Sequence, residues 1–474
     1  MFIKKLVIKN FRLFGSQFIL DAGEINIPDG TSPGSGLTVL VGENGTGKTS
    51  ILEALAIPLI GYKADSIALI DFYDIKQKTE LTISSSEEFD VKKSTPRGEF
   101  KATGFYFKAN VRQQDQTRYL SSTIVSDTRF IPSSSTPVND TSPDLRVSVN
   151  NPFSGPRFNE NDYLYIDKNR TKQLESGTFS STRFDRLLGD FNFQYLKTNL
   201  SSLLDPNNAV NDTLSASSIN NEFLDKAFED FKRLTDYDVE LSFIDNQAPY
   251  SKGYLTYAAG ETKQLPVEKL GSGYQMFLAI LCQYRLSLQS GKKLIIFIDE
   301  VELHLHYKLQ VSLAKLLLEI SKTAQVIVTT HSAQLLKDLR PNDSHLINVL
   351  KKSGAPIDIN PVEDYVLPFP SVNESSFVAF EIPSIEYFNE LYGYLQDLKG
   401  RTSINEFDAE ISTGETMYDW ERVGGGTDNL SVHSCIRHKI HHPDNTLNDG
   451  KFNFDEALPI SIKFLRVKIQ EHTT

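Results

Sequence analysis

The chain has 474 residues, with 61 acidic against 49 basic side chains and a formal net charge of −12. Single cores rarely grow beyond about 250 to 300 residues, so more than one domain is expected, and the acidic balance excludes a surface that grips nucleic acid all over, though not a local basic groove. Cys282 and Cys435 offer neither a disulfide framework nor a zinc cluster, which suits a reducing, cytoplasmic setting. The start MFIKKLVIKNFRLF alternates cations with apolar residues, and no segment approaches about 18 uncharged apolar residues, so neither a signal peptide nor a membrane span is expected.

Residues 2–9, FIKKLVIK, alternate as an amphipathic strand, and FILDAGEINI reads as its neighbour. The apolar LTVL then runs into VGENGTGKTS (41–50) and on into ILEALAIPLI, so a strand, a glycine loop and a helix follow in immediate succession. That is the context a G-x-x-x-x-G-K-T phosphate loop requires, here as Gly42, Gly47, Lys48 and Thr49. Gly42, Gly45 and Gly47 let the backbone turn its N–H groups onto an anion, with Asn44 and Ser50 in the same loop, and the following helix aims its positive end at the same point. Lys48 adds a mobile cation and Thr49 a hydroxyl for Mg²⁺. The expected ligands are ATP and Mg²⁺.

From about 66 to 120, TELTIS and GFYFKANV read as short antiparallel strands. The Ser, Thr, Asn and Pro-rich stretch 121–162 buries little and reads as a long surface loop. YLYIDKNR (163–170) resumes as a strand, and 181–235 carries helical spacing. Further on, KKLIIFIDEVELHLH (292–306) drives an apolar strand into Asp299 and Glu300, the way a buried parallel strand delivers carboxylates at its C-terminal edge. Asp299 fits the holding of Mg²⁺ and Glu300 the activation of water. AQVIVTTHSAQLL (324–336) is a second buried strand, ending at His331, which is placed to sense a γ-phosphate. Ser272 and Gly273, in EKLGSGYQMFLAILCQYRL, open an amphipathic helix whose N-terminus reads equally as another anion cradle or as an ordinary N-cap.

In this order the motifs resemble the ABC-type ATPase heads of the RecF, SMC and OLD group, through the phosphate loop, the signature-like LGSGYQ (270–275), IIFIDEVELHLH and VIVTTHS. The resemblance implies an α/β fold: an ABC-ATPase head with mixed sheet, antiparallel β subdomain, helical insertion and a helical C-terminal module. It also implies a homodimer or higher homo-oligomer, with ATP held between the phosphate loop of one protomer and Ser272 of another. Tyr307 stands where the group has Pro, and ELHLH replaces the Asp-bearing loop of transporters. The glutamine loop has two candidate places, Gln113 and Gln114 after one strand or Asn169 and Arg170 after another, and Phe11 or Arg12 is a candidate for the adenine side.

The implied division is 1–120 and 266–365 for the two parts of the head, 121–162 for the loop insert, 163–265 for the helical subdomain and 366–474 for the C-terminal module. In that module FEIPSIEYFNELYGYLQDL reads as an amphipathic helix, VGGGTD as a linker, and LSVHSCIRHKIHHPDNTLN holds four of the nine histidines. Arg437 and His442 resemble the R-x-x-x-x-H pair of HEPN ribonucleases, while basic residues at a helix end stopped by Pro443 are the plain alternative. This tail also resembles the ATPase subunits of bacterial anti-phage systems of the Septu PtuA type, implying an ATPase that controls a nuclease effector. An ATP-gated ribonuclease and a RecF-like DNA-repair ATPase that contacts nucleic acid are the rival readings.

Overall fold

The computed structural model describes residues 1–60 without 16 and 22, then 69–92, 99–114, 117–126, 129–138, 161–168, 218–242, 254–258, 264–266, 270–340, 346–352 and 357–473 without 414. The Cα framework divides into two compact units, Met1–His331 with Pro341–Pro361, and Ser332–Arg340 with Val362–Thr474.

In the first unit, β1 (Ile3–Lys9) pairs with β2 (Phe18–Leu20), and β3 (Leu37–Gly42) leads through the glycine loop into α1 (Lys48–Ile60). Every residue of β3 is buried, which marks a central strand. β4 (Thr79–Lys92), β5 (Glu99–Gln114), β6 (Thr117–Ser126) and β7 (Arg129–Val138) extend the β1 edge into an antiparallel sheet of order β2-β1-β4-β5-β6-β7. Two of these strands run into the stretch expected to be a loop. Residues 121–126 and 129–138 are strands, because pairing along β5 and then along β6 gives their backbone groups ladder partners that composition does not reveal. Gln113 and Gln114 lie in that ladder, opposite Arg118 and Thr117.

Among the described residues β8 (Asn161–Ile166) is followed by α2 (Ser218–Thr235), then by the small sheet of β9 (Val239–Ser242), β10 (Tyr254–Ala258) and β11 (Gln264–Pro266). Most of the stretch expected to be a helical subdomain, including Asn169 and Arg170, lies outside the described residues. The second half of the unit adds α3 (Ser272–Gln289), β12 (Lys293–Ile298), α4 (Tyr307–Ile320) and β13 (Gln325–Thr329). α5 (Ala333–Leu339) belongs to the second unit, and β14 (Leu346–Lys352) and β15 (Ile357–Pro361) return to the first.

The other six-stranded sheet runs β15-β14-β3-β13-β12-β8, all parallel except the β15 edge. α1 is packed between this sheet and the antiparallel one, which explains why ILEALAIPLI is apolar at every position but Glu53. Glu53, buried within α1, is ion-paired with Arg12, which also donates to Asp71 Oδ1 at 2.8 Å. Phe11 is fully buried in the same core, so of the two residues considered for adenine it serves packing.

The second unit contains, besides α5, helices α6 (Val372–Phe380), α7 (Ile385–Leu398) and α8 (Ile404–Ile411), the hairpin of β16 (Met417–Glu421) and β17 (Thr427–Ser431), then α9 (Val432–His441) and α10 (Phe454–Thr473). The segment expected to be a linker is the turn of this hairpin. Gly425 and Gly426 supply the positive φ values of 89° and 95° that a side chain would strain, and an Arg422–Asp428 ion pair closes the turn. Asp408 is buried beneath α9. Its carboxylate accepts the Ser431 N–H at 2.8 Å and the hydroxyls of Ser431 and Ser434, both at 2.5 Å, so a negative charge sits at the helix's positive end.

His433, in the first turn of α9, stacks on Phe464 at 4.0 Å with Nδ1 2.8 Å from Ser461 Oγ. Burial pushes its pKa down to about 4, against a smaller opposing pull from Asp408. The unfolded chain takes up this proton near pH 6.5 and the folded chain does not, so the contribution is fully present above pH 6.5 and is lost as pH falls toward 4, about 3 kcal/mol in all. Trp420, the single tryptophan, is 3% exposed and lies in this unit, so its fluorescence reports the unit's unfolding. Urea midpoints read this way should fall from pH 7 to pH 4.5 in the parent and fall less in His433→Gln; equal slopes would contradict the account.

Candidate functional site

The parallel sheet brings β3, β12 and β13 side by side with their C-terminal ends together, and three segments distant in sequence meet there. In the glycine loop, Gly42, Gly45 and Gly47 hold φ values of 147°, 80° and 93°. A Cβ on Gly42 would lie 2.5 Å from Leu350 O, and one on Gly47 would lie 2.8 Å from the Phe14 ring, so close approach as well as torsion demands glycine at both. Asn44 and Gly45 are exposed at the loop tip, while Lys48 and Ser50 are buried at the start of α1.

Lys48 Nζ donates to Gly42 O and Glu43 O, each at 2.8 Å. Burial pulls its pKa down to about 8, opposed by Asp299, Glu300, Glu302 and Glu43. Thr49 Oγ1 donates to the Asp299 carboxylate, 2.9 Å from Oδ2 and 3.1 Å from Oδ1. Thr329 Oγ1 donates to Asp299 Oδ1 at 2.7 Å and accepts the Glu300 N–H at 2.8 Å. Burial raises the Asp299 pKa, and the neighbouring Glu300 adds to the rise against these two hydroxyls and Lys168.

Glu300 sits at φ 47°, a left-handed conformation costly for a residue with a side chain and held here by the Thr329 hydroxyl. Its Oε1 is 4.0 Å from Nζ of Lys168, which follows β8. His331 is half-buried. Its pKa is lowered first by burial and then by Lys48, with Glu302, Glu300 and Asp299 opposing. Ser272 and Gly273 open α3, where a Cβ on Gly273 would collide with Leu305 Cδ2, so the helix start is fitted closely to the turn after β12.

The structure thus joins Lys48, Thr49, Asp299, Glu300 and His331 in one electrostatic cluster. Arg437 and His442 belong to the second unit. Arg437 donates to Asn389 Oδ1 at 2.7 Å and lies over the Tyr392 ring, while His442, at the C-terminal end of α9, stacks on His438 with centroids 6.2 Å apart. No motif in the sequence marks Thr329, Lys168 or Glu302, although two threonines closing the apolar VIVTT are a signal for the first.

The profile of the AAA ATPase domain family matches residues 1–336. The chain belongs to the AAA ATPase domain family. It is therefore a member of a family of ATPases, and the cluster lies within the matched span. No curated protein matches the chain. Among solved structures it is similar to an SmcHead bound to the C-winged helix domain of ScpA, at 15% identity over 76% of this chain and 98% of that one, with a TM-score of 0.49. It is also similar to the Smc head domain with an extended coiled coil bound to the C-terminal domain of ScpA from Pyrococcus furiosus, at 13% identity over 76% and 96%, with a TM-score of 0.47. The SMC head domain from Thermotoga maritima gives 12% identity over 77% and 100%, with a TM-score of 0.34. Among the described residues no helix is long and apolar enough to cross a membrane, and no group of three His, Cys, Asp or Glu side chains could hold a metal ion.

Proposed function

We propose that the chain is a Mg²⁺-dependent ABC-type ATPase head that hydrolyses ATP at a site shared between two copies and thereby controls a nuclease effector in bacterial anti-phage defence. The observation that carries the hydrolytic reading is the chain of hydrogen bonds from Thr49 through Asp299 to Thr329 and on to the Glu300 backbone. A hydroxyl and a carboxylate fit a hard divalent cation, and Thr49 and Asp299 would hold it. When bound, Mg²⁺ supplies positive charge to the phosphate oxygens.

The chain's own groups do the rest. Lys48 exchanges the Gly42 and Glu43 carbonyls for phosphate oxygens. Glu300, its backbone fixed by Thr329, takes the proton of the attacking water, and His331 donates to the γ-phosphate. Ser272 reaches the nucleotide of the neighbouring copy from the N-terminus of α3. ATP turnover by the purified chain, abolished by chelation and restored by Mg²⁺, is the test. A chain that neither binds nor turns over ATP with Mg²⁺ sinks the proposal.

The regulatory role over an intrinsic ribonuclease is supported by Arg437, whose guanidinium is committed to Asn389 and Tyr392. Incubating the chain with total RNA and ATP should give no cleavage, so His442→Ala and Arg437→Ala should have no RNase activity to lose and leave ATP hydrolysis within about twofold. Parent cleavage that falls on the order of 100-fold in either variant would establish the ribonuclease reading instead.

A further inference from the structure

Glu302 reaches from the turn after β12 to the turn after β13. The β13 strand ends at Thr329, and the Thr330 N–H goes to Leu40 O. The His331 N–H donates instead to Glu302 Oε1 at 2.6 Å. The other oxygen, Oε2, is buried and makes no hydrogen bond among the described residues, so the carboxylate's placement is spent on the His331 amide.

The turn carrying Glu302 is itself held tightly. Val301 N–H donates to Thr329 O at 3.0 Å, Leu303 N–H to Glu300 O at 2.9 Å and Leu305 N–H to Glu302 O at 3.0 Å, while Leu305 and His304 O crowd Gly273 at the start of α3. Glu300, at φ 47°, and His331 are thereby fastened to one short segment.

We propose that Glu302 is a positioning residue, which fixes His331 by accepting its backbone N–H and so aims the imidazole at the γ-phosphate. The inference rests on the ATPase site described above. Its content is geometric: the reach of the acceptor to the His331 N–H outweighs the carboxylate's charge.

The test is a double-mutant cycle on the full chain. Glu302→Ala should lower kcat about 30-fold with KM within about threefold, and should cost less than about twofold in a His331→Ala background. Glu302→Gln keeps an oxygen at the same reach and should recover to within about threefold of the parent. Glu302→Asp keeps the charge but withdraws it by one methylene, so it should lose about 10-fold or more. Equilibrium binding supplies the second readout: Glu302→Ala should weaken ATP relative to ADP by about two- to threefold and leave ADP affinity unchanged, with no such effect when His331 is Ala. Equal losses in both backgrounds, or Asp matching the parent while Gln does not, overturn the inference and leave the site reading standing. A His331→Ala variant with parental turnover overturns the role of His331 and the inference with it.

Discussion

Replacing Glu300 by Gln is expected to slow ATP hydrolysis by about 100-fold or more while leaving ATP affinity within about twofold. The amide is nearly isosteric, so the Thr329 contact with the Glu300 N–H and the Thr49–Asp299 pair are undisturbed. What is lost is the ability to take a proton from the attacking water. Lys48→Ala should behave oppositely, because it removes the cation that the phosphates would claim from Gly42 O and Glu43 O, and binding itself should be lost. Equilibrium binding of radiolabelled ATP alongside steady-state turnover separates the two. Parental turnover by Glu300→Gln would assign water activation to another group.

The parts of the site that were legible in sequence are those written as consecutive residues. VGENGTGKTS carries its own turn torsions and its own helix start, and five apolar residues before Asp299 announce a buried strand wherever it lies in the sheet. Thr329 was not legible as a partner of Asp299, because the contact spans 30 residues and depends on β12 and β13 being neighbours in a register that pairs Ile298 with Val328. Glu302 has the same character: its partner amide lies on the next strand's exit. The strands through 121–138 were hidden because Ser and Thr composition says nothing of which edge offers a ladder. In the second unit, Asp408 reaches Ser431 and Ser434 across 23 and 26 residues, and no spacing rule marks a buried carboxylate placed under a helix end.

A mixture of two inactive chains should regain activity if the nucleotide site is shared. Ser272→Arg places a bulky cation at the N-terminus of α3, where the helix's positive end already opposes it and where Gly273 is pressed against Leu305. Lys48→Ala disables the phosphate loop. In an equal mixture that exchanges freely, about half of the dimers are mixed, and each mixed dimer pairs one intact loop with one intact Ser272 at one site while the other site carries both lesions. Turnover should therefore recover to roughly a quarter of the parental rate, each intact site acting independently of its lesioned neighbour. Each variant alone should stay near background. The recovered rate should peak at equal proportions and disappear when exchange is prevented by crosslinking each pure dimer beforehand. Mixed dimers shown by native mass spectrometry without any recovery would place Ser272 and Lys48 in the service of the same chain, and parental turnover by Ser272→Arg alone would remove Ser272 from the site altogether.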